Sequence, residues 1–403
     1  LAKEPLRGKI ISVGLIFLNR KFWLFALLSA LALRLAMLAL PSFSTDTQRF
    51  LSDGINVANG KNPYTTPPPI TIEYPHLRSF YPPLQQAFFG AAAKIYSSPF
   101  VFRLLGGITE LVFLFWFIKR KKKYLAAQPV SGQSTGIAAM RPSPARWVIL
   151  FLLFNPVSIH EIWREGHLDH IGAFLLYFAI VSARAAFGRT QNVLRRYFYT
   201  FAGIGWKFTG ILAPAFFLPH AVKPGWQSLL WRASSLFAVG CGLFFVLQLL
   251  PGVLLTPFAE RGFLVYTQYW HHGNAIVHLL EAFGFAAAHG VYLVQRGILL
   301  LFVLSALLYV LRRWHFYEML YFSLSALVVL FPVQHPWYYF LLFPVILLSR
   351  QWRPLLMLLC LAAPLSYLGY VAQWKSAGFL ATSALWLGGC IIHFTRRSQY
   401  RLR

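Results

Sequence analysis

Apolar runs long enough to cross a bilayer recur from one end of this chain to the other, and this pattern restricts the fold more than any other feature. They include Phe22 to Leu40, Val101 to Ile118, Leu229 to Leu250, Gly297 to Leu311, Leu355 to Val371 and Leu380 to Ile392. About 20 helical residues at 1.5 Å rise cross the hydrocarbon, so the shorter runs must tilt or recruit neighbours. With 58% hydrophobic and 12% charged residues over 403 positions, the chain does not fit a soluble domain, in which about 25% are charged. The expectation is an all-α, polytopic helical membrane protein of about 12 transmembrane segments.

A net charge of +26 in a soluble protein would point to nucleic acid. Here the basic residues bracket apolar spans, at Lys3 to Lys21, Lys119 to Lys123, Arg195 and Arg196, Arg312 and Arg313, Arg350 and Arg353, and Arg396 to Arg403. Positive-inside bias accounts for them, and no nucleic-acid partner is expected. Both termini would then be cytosolic and the span count even. No short apolar region with a small-residue cleavage site precedes the first span, so no removable signal is expected. Cys241, Cys360 and Cys390 lie in apolar stretches without metal-ligand spacing and read as small core residues.

Acid is scarce, with 11 Asp and Glu against 37 Lys and Arg, so its placement is informative. Asp46, Asp53, Glu73, Glu161, Glu165, Asp169, Glu260 and Glu281 all fall in segments that the charge pattern puts on the outer face. The first of these, Pro41 to Pro83, is too long for a turn, and long loops are commonly functional. Thr45 to Ala58 reads as a short helix, with Asp46 and Asp53 seven apart on one face and Arg49 between them. Leu84 to Tyr96 reads as a juxtamembrane helix, because a full crossing would carry Lys119 to Lys123 outside. Residues 119–146 read as a disordered cytosolic loop. The span Trp147 to Ile159 then emerges at a polar stretch ending Glu165-Gly166-His167-Leu168-Asp169-His170. Tyr197 to Leu218 is either two half-length helices meeting near Lys207 or one tilted helix. Further outer segments are Pro251 to Glu281, with His271 and His272, and Pro332 to Trp337.

These residues suggest chemistry, each with a plain alternative. Asp46 fits a general base, or the acidic first turn of a helix. Glu165, His167 and Asp169 sit near lipid, where ionisable groups are costly and commonly functional, or in a solvated turn. Lys207 in an apolar stretch calls for a compensating anion such as phosphate, or snorkels to the interface beside Trp206. No phosphate-binding glycine loop is present, which argues against a cytosolic nucleotide substrate.

Taken together, the chain resembles the integral-membrane GT-C glycosyltransferases, in particular the bacterial mannosyltransferases that use a polyprenyl-phosphate sugar. The resemblance covers Leu38 to Pro344 and rests on several short stretches. Asp46, Asp53-Gly54, Gly60-Lys61-Asn62-Pro63-Tyr64 and Tyr81-Pro82-Pro83-Leu84 lie in the first outer loop. Asn155-Pro156, Glu161, Gly166-His167-Leu168-Asp169, Lys207, Asn274 and His335-Pro336-Trp337-Tyr338 follow in order. It implies a transmembrane module over 1–250, with a catalytic first outer loop 41–100, and variable C-terminal helices over 251–403. It also implies a bacterial inner-membrane location with the site on the extracytoplasmic face.

The activity implied is transfer of a sugar, a hexose such as mannose, to a lipid or glycan acceptor. Asp46 would be the base of an inverting displacement, and Lys207, His335 and Arg78 would hold the donor phosphate. Asp53, Tyr64, Tyr81, Glu165, His167, Asp169, Asn274 and Tyr338 would bind substrate. Such families commonly carry an acidic pair where this chain has Asp46-Thr47, so no metal site or other cofactor is expected, and Mg or Mn gains no support. The rival is a transporter or flippase of a lipid-linked or anionic molecule, for which Glu110 with Arg103 would be the mid-membrane pair.

Overall fold

The computed structural model describes residues 20–126, 144–185, 190–207, 265, 271–272, 274–310, 316–333, 335–349, 352–370 and 376–401. Their regular structure is helical, with an isolated parallel bridge between His272 and Val333. In chain order the helices are α1 Arg20–Ala39, α2 Asp46–Ala58, α3 Pro83–Ile95, α4 Phe100–Ala126, α5 Pro144–Phe154, α6 Asp169–Ala185 and α7 Thr190–Lys207. Then come α8 Ala275–Ala282, α9 Ala287–Val310, α10 Phe316–Leu330, α11 Phe343–Leu348, α12 Arg353–Ala362 and α13 Ala377–Arg401. A π turn, Ser158–Ile162, and 3-10 turns at Pro336–Leu342 and Ala363–Tyr370 complete the set.

Among the described residues three helices, Lys21–Ala39, Phe100–Arg120 and Ala287–Ser305, are long and apolar enough to cross a membrane. They turn large apolar side chains outward, with Phe25 and Phe115 each 70% exposed and Leu300 57%. Such outward apolar surface suits lipid. Helices α2 and α3 occupy the places expected for the short outer helices. Their axes approach closely because Gly54 faces the Phe89 carbonyl and Gly90 faces the Val57 side chain. Phe50, Tyr81, Phe89 and Phe102 close the junction with stacked and edge-to-face rings at 4.7 to 5.8 Å.

Several boundaries differ from the sequence reading, and prolines explain two of them. The run Leu355 to Val371 is not α-helical throughout: α12 stops at Ala362 and a 3-10 helix continues directly to Tyr370. Pro364 lacks an N–H and its ring clashes with a carbonyl one turn back. Likewise α5 ends at Phe154, just before Asn155-Pro156. The basic run Lys119 to Lys123 belongs to α4 and does not open a loop. Residues 127–143 and 208–270 apart from 265 lie outside the described residues, and with them the run Leu229 to Leu250, the end of Tyr197 to Leu218 and most of Pro251 to Glu281.

The spans are tied by a buried ion pair. Arg34 of α1 donates from Nε and Nη2 to the two oxygens of Glu110 in α4, at 2.9 and 2.8 Å. Its remaining donors reach the carbonyls of Ala30, Leu152 and Leu153. Trp163 Nε1 also donates to Glu110, at 2.6 Å. The expected pairing of Glu110 with Arg103 is therefore not formed. Arg103 instead caps the end of α1, donating to the carbonyls of Met37, Leu38 and Leu40, and also to that of Trp163. The last carbonyls of a helix lack the donor one turn on, and here Arg103 supplements the Leu40 amide, which donates to Met37. Replacing Glu110 by Gln strands a buried guanidinium, and thermal unfolding in detergent should report a loss of about 3 to 5 kcal/mol. The double change Arg34→Met, Glu110→Leu should recover most of it.

Candidate functional site

A cavity of about 940 Å³ lies beside the end of α1, walled by the loop that leads into α2, the segment 72–81, the end of α7 and the stretches 271–272 and 335–338. Six of the expected site residues line it: Asp46, Tyr81, Glu165, Lys207, His335 and Tyr338.

Asp46 is the first residue of α2, and its side chain is 38% exposed. It therefore sits in the acidic first turn of the helix, the plain alternative for this residue, while the N-cap is Thr45, which makes no side-chain cap bond. The Asp46 carboxylate oxygen lies 3.3 Å from Nε2 of His167, whose Nδ1 lies 2.9 Å from Glu161. Glu161 is held in turn by the Tyr367 hydroxyl at 2.7 Å and by Nδ1 of His160 at 3.0 Å. The local sequence builds this line: Pro156 ends α5, the π turn places Glu161 inward, and Gly166, with φ +76, turns the chain so that His167 points back. A Cβ on Gly166 would collide with Thr47 and Arg103.

The electrostatics follow from this line of carboxylate, imidazole and carboxylate. Burial alone would lower the His167 pKa, but the hydrogen bonds and charges of Asp46 and Glu161 outweigh it and raise it to about 9. Burial would raise Asp46 and Glu161, yet bonding to His167 holds Asp46 below its ordinary value, and bonding to His160 and His167 holds Glu161 at about 2. His167 also stacks on Trp337, centroids 3.7 Å apart, as a cation over an aromatic face. The stack continues from Trp337 to His335 at 4.1 Å and from His335 to His272 at 5.1 Å.

Lys207 ends α7, with Nζ 3.3 Å from Asp169 and 5.3 Å from the centre of the Tyr81 ring. Asp169 thus supplies the anion that its apolar setting requires, and stands behind Lys207 outside the cavity wall. His335 is pulled down to about 3 by burial and the neighbouring His272, so it offers hydrogen bonds but no charge. One oxygen of Glu165 accepts from Ser42 Oγ and from the amides of Phe43 and Ser44, at 2.7 to 2.9 Å. That fixes the loop leading into Asp46.

Four expected residues stand elsewhere. Asp53 is 2% exposed and accepts from Gln86, which also bonds Ser79, beneath the cavity floor. Seven residues of helix carry it about 10 Å along the axis from Asp46, and burial raises its pKa to about 6. The buried Tyr64 hydroxyl donates to the Tyr81 carbonyl at 2.7 Å, so it positions Tyr81 from behind. Asn274 is the N-cap of α8: its Oδ1 accepts from the amides of Ile276 and Val277, and its Nδ2 donates to Leu330 and Phe331. Arg78 is not among the lining residues, whereas Arg49 is. Arg49 spends its donors on the carbonyls of Glu73, Tyr74 and Leu77, pinning the opposite wall.

Tyr367, 206 residues from Glu161, left no local signal in the sequence. Trp337 and Glu161 lay in stretches singled out above, but their partners were not apparent. One group could hold a metal among the described residues: His271, His278 and Glu281, whose ligand atoms lie within 4.8 Å of one another. In the cavity, an ionised carboxylate can accept a proton from a hydroxyl, beside a lysine and several aromatic faces. Comparison with protein-family models, curated proteins and solved structures finds no match to the chain.

Because the His167 pKa is raised above its ordinary 6.5, its contribution to stability is complete below pH 6.5 and is lost as pH rises through about 9. The melting temperature of the wild type should therefore fall between those values by more than that of His167→Gln, measured in the same detergent.

Proposed function

We propose that this chain is an integral-membrane glycosyltransferase of the GT-C type. It moves a sugar, a hexose such as mannose, from a polyprenyl-phosphate donor to a lipid or glycan acceptor. The observation that carries this reading is Asp46, ionised at the wall of a roughly 940 Å³ cavity beside a membrane-length helix and backed by His167 and Glu161. The size suits a headgroup and an acceptor together, since ligand pockets commonly run to about 300 to 1,000 Å³. The resemblance described above supplies the reaction class. With it go about 12 spans, cytosolic termini and an outward site in a bacterial inner membrane.

A phosphate-linked sugar brings its own leaving group. The acceptor oxygen bonds to the anomeric carbon as the bond from that carbon to the phosphate oxygen breaks, with inversion, and the lipid phosphate leaves with the electron pair. Asp46 takes the acceptor proton. With its pKa held low, Asp46 is a weak base in the ground state, so transfer occurs late, as the forming bond acidifies the hydroxyl. His167 is a positioning residue: pairing with Glu161 fixes its ring, and its charge keeps Asp46 ionised. Lys207, steadied by Asp169, faces the departing phosphate, and Tyr81, Trp337 and Tyr338 offer surfaces for the sugar ring.

The test is release of polyprenyl phosphate from a panel of polyprenyl-phosphate sugars by purified protein in lipid with an acceptor extract. Asp46→Asn should cut acceptor-dependent release by about 10² to 10⁴-fold with melting temperature retained. Wild-type protein that releases nothing from any donor, or an Asp46→Asn variant of near-normal turnover, would overturn the reading. In His167→Gln the acid limb of the rate profile should move to higher pH as Asp46 returns toward its ordinary carboxylate value. An unmoved limb would remove His167 from the account.

A further inference from the structure

Most of the positive charge at the cavity is already compensated. Lys207 is shared with Asp169, Arg49 is bound to three carbonyls, and His335 is uncharged. On the wall formed by residues 271–272, a set of ligand groups stands apart from the Asp46 line.

His278 and Glu281 lie one turn apart on α8, so both side chains project from one face. Nδ1 of His278 is 3.0 Å from one Glu281 oxygen, and Nε2 of His271 is 3.4 Å from the other. Ligand atoms held at about 2.0 to 2.2 Å around a tetrahedral zinc are separated by roughly 3.3 to 3.5 Å. Each imidazole therefore already stands near that spacing from the carboxylate, and all three ligand atoms lie within 4.8 Å of one another. The supports are anchored on both sides. Asn274 caps α8 and ties it to the end of α10, and Val277 is fully buried against Gly290 and Val291. His271 adjoins the bridge in which the His272 amide donates to the Pro332 carbonyl. Preorganised supports of this kind distinguish a built site from a chance surface cluster. His271 lines the cavity as well, so the trio borders the cavity through that residue.

The geometry points to a divalent transition-metal site at His271, His278 and Glu281, with zinc the best match to two imidazoles and a carboxylate and with a position left for a phosphate oxygen. Three protein ligands with one position open is the arrangement of zinc sites that engage substrate. The phosphate role rests on the glycosyltransferase reading, whereas the metal site does not. The ion would supply the charge that the lysine and arginine of this cavity have given elsewhere.

The experiment uses full-length protein purified without a histidine tag. Co²⁺ is titrated into it, followed by visible d–d absorption and by metal analysis after dialysis. The expected result is one Co²⁺ per chain, displaced by Zn²⁺, with a visible band that shifts when inorganic phosphate is added. Glu281→Gln, which keeps the side-chain shape, and His278→Ala should each weaken binding by at least about tenfold. His289→Ala, on the neighbouring α9 and outside the trio, should bind as wild type. A wild type that takes up no stoichiometric Co²⁺, or one whose binding survives both ligand changes, would overturn the site. A band indifferent to phosphate would overturn its phosphate role alone. Since no sugar donor is present, a failed titration is distinguishable from a failed transferase assay, and either can occur without the other.

Discussion

The site depends on a knot that contains none of its own residues. Glu110 receives Arg34 from the first membrane-length helix and the Trp163 indole from the loop that carries Glu161, Glu165 and His167. Arg103, two turns earlier on the same helix, binds the end of α1 and the Trp163 carbonyl. One stretch of α4 therefore sets both the exit of α1, from which the Asp46 loop starts, and the loop that brings His167 to Asp46. Gly107, packed against the Trp163 ring, permits that approach. In an apolar setting neither buried charge tolerates loss of its partner, so the knot is also what fixes a unique arrangement of these segments.

From that frame the electrostatic economy of the site follows. The few acids are spent in pairs: Asp46 and Glu161 share His167, Asp169 holds Lys207, and Glu165 binds the loop 42–44. Asp46 is the member of the central line that opens to the cavity, while Glu161 and His167 are each 1% exposed. The stacked rings of His167, Trp337, His335 and His272 carry the wall from Asp46 toward His271, the neighbour of His272 in the chain. A proton acceptor and a candidate cation site thus stand at two ends of one aromatic partition.

Helical character was legible because apolar runs at membrane length admit few other readings, and α1, α2 and α3 all follow the sequence pattern. What failed has physical causes. Pro364 and Pro156 divide runs that hydropathy alone treats as continuous, because hydropathy does not register a missing amide. Asn274 stands before an apolar helical stretch, which is a capping signal, and its side chain caps α8. Asp53 shares a helical face with Asp46, but burial under Ser79 and Gln86 depends on a loop whose path the sequence does not display. The pairing of Glu161 with Tyr367, and the stacking of His167 on Trp337, join segments far apart in the chain. Neither leaves a local pattern, so chemistry spread over the loops was visible as residue types and not as partners.

The central claim is that a polyprenyl phosphate-linked sugar sits in the cavity between Asp46 and Lys207. The most direct measurement is an experimental structure of the protein in a lipid nanodisc with a polyprenyl-phosphate bound. The account predicts the phosphate in the cavity, within contact of Lys207 or of a metal held by His271, His278 and Glu281, with the isoprenoid chain passing out toward the apolar face of the helices. A phosphate bound elsewhere, with the cavity closed to it, would contradict the account.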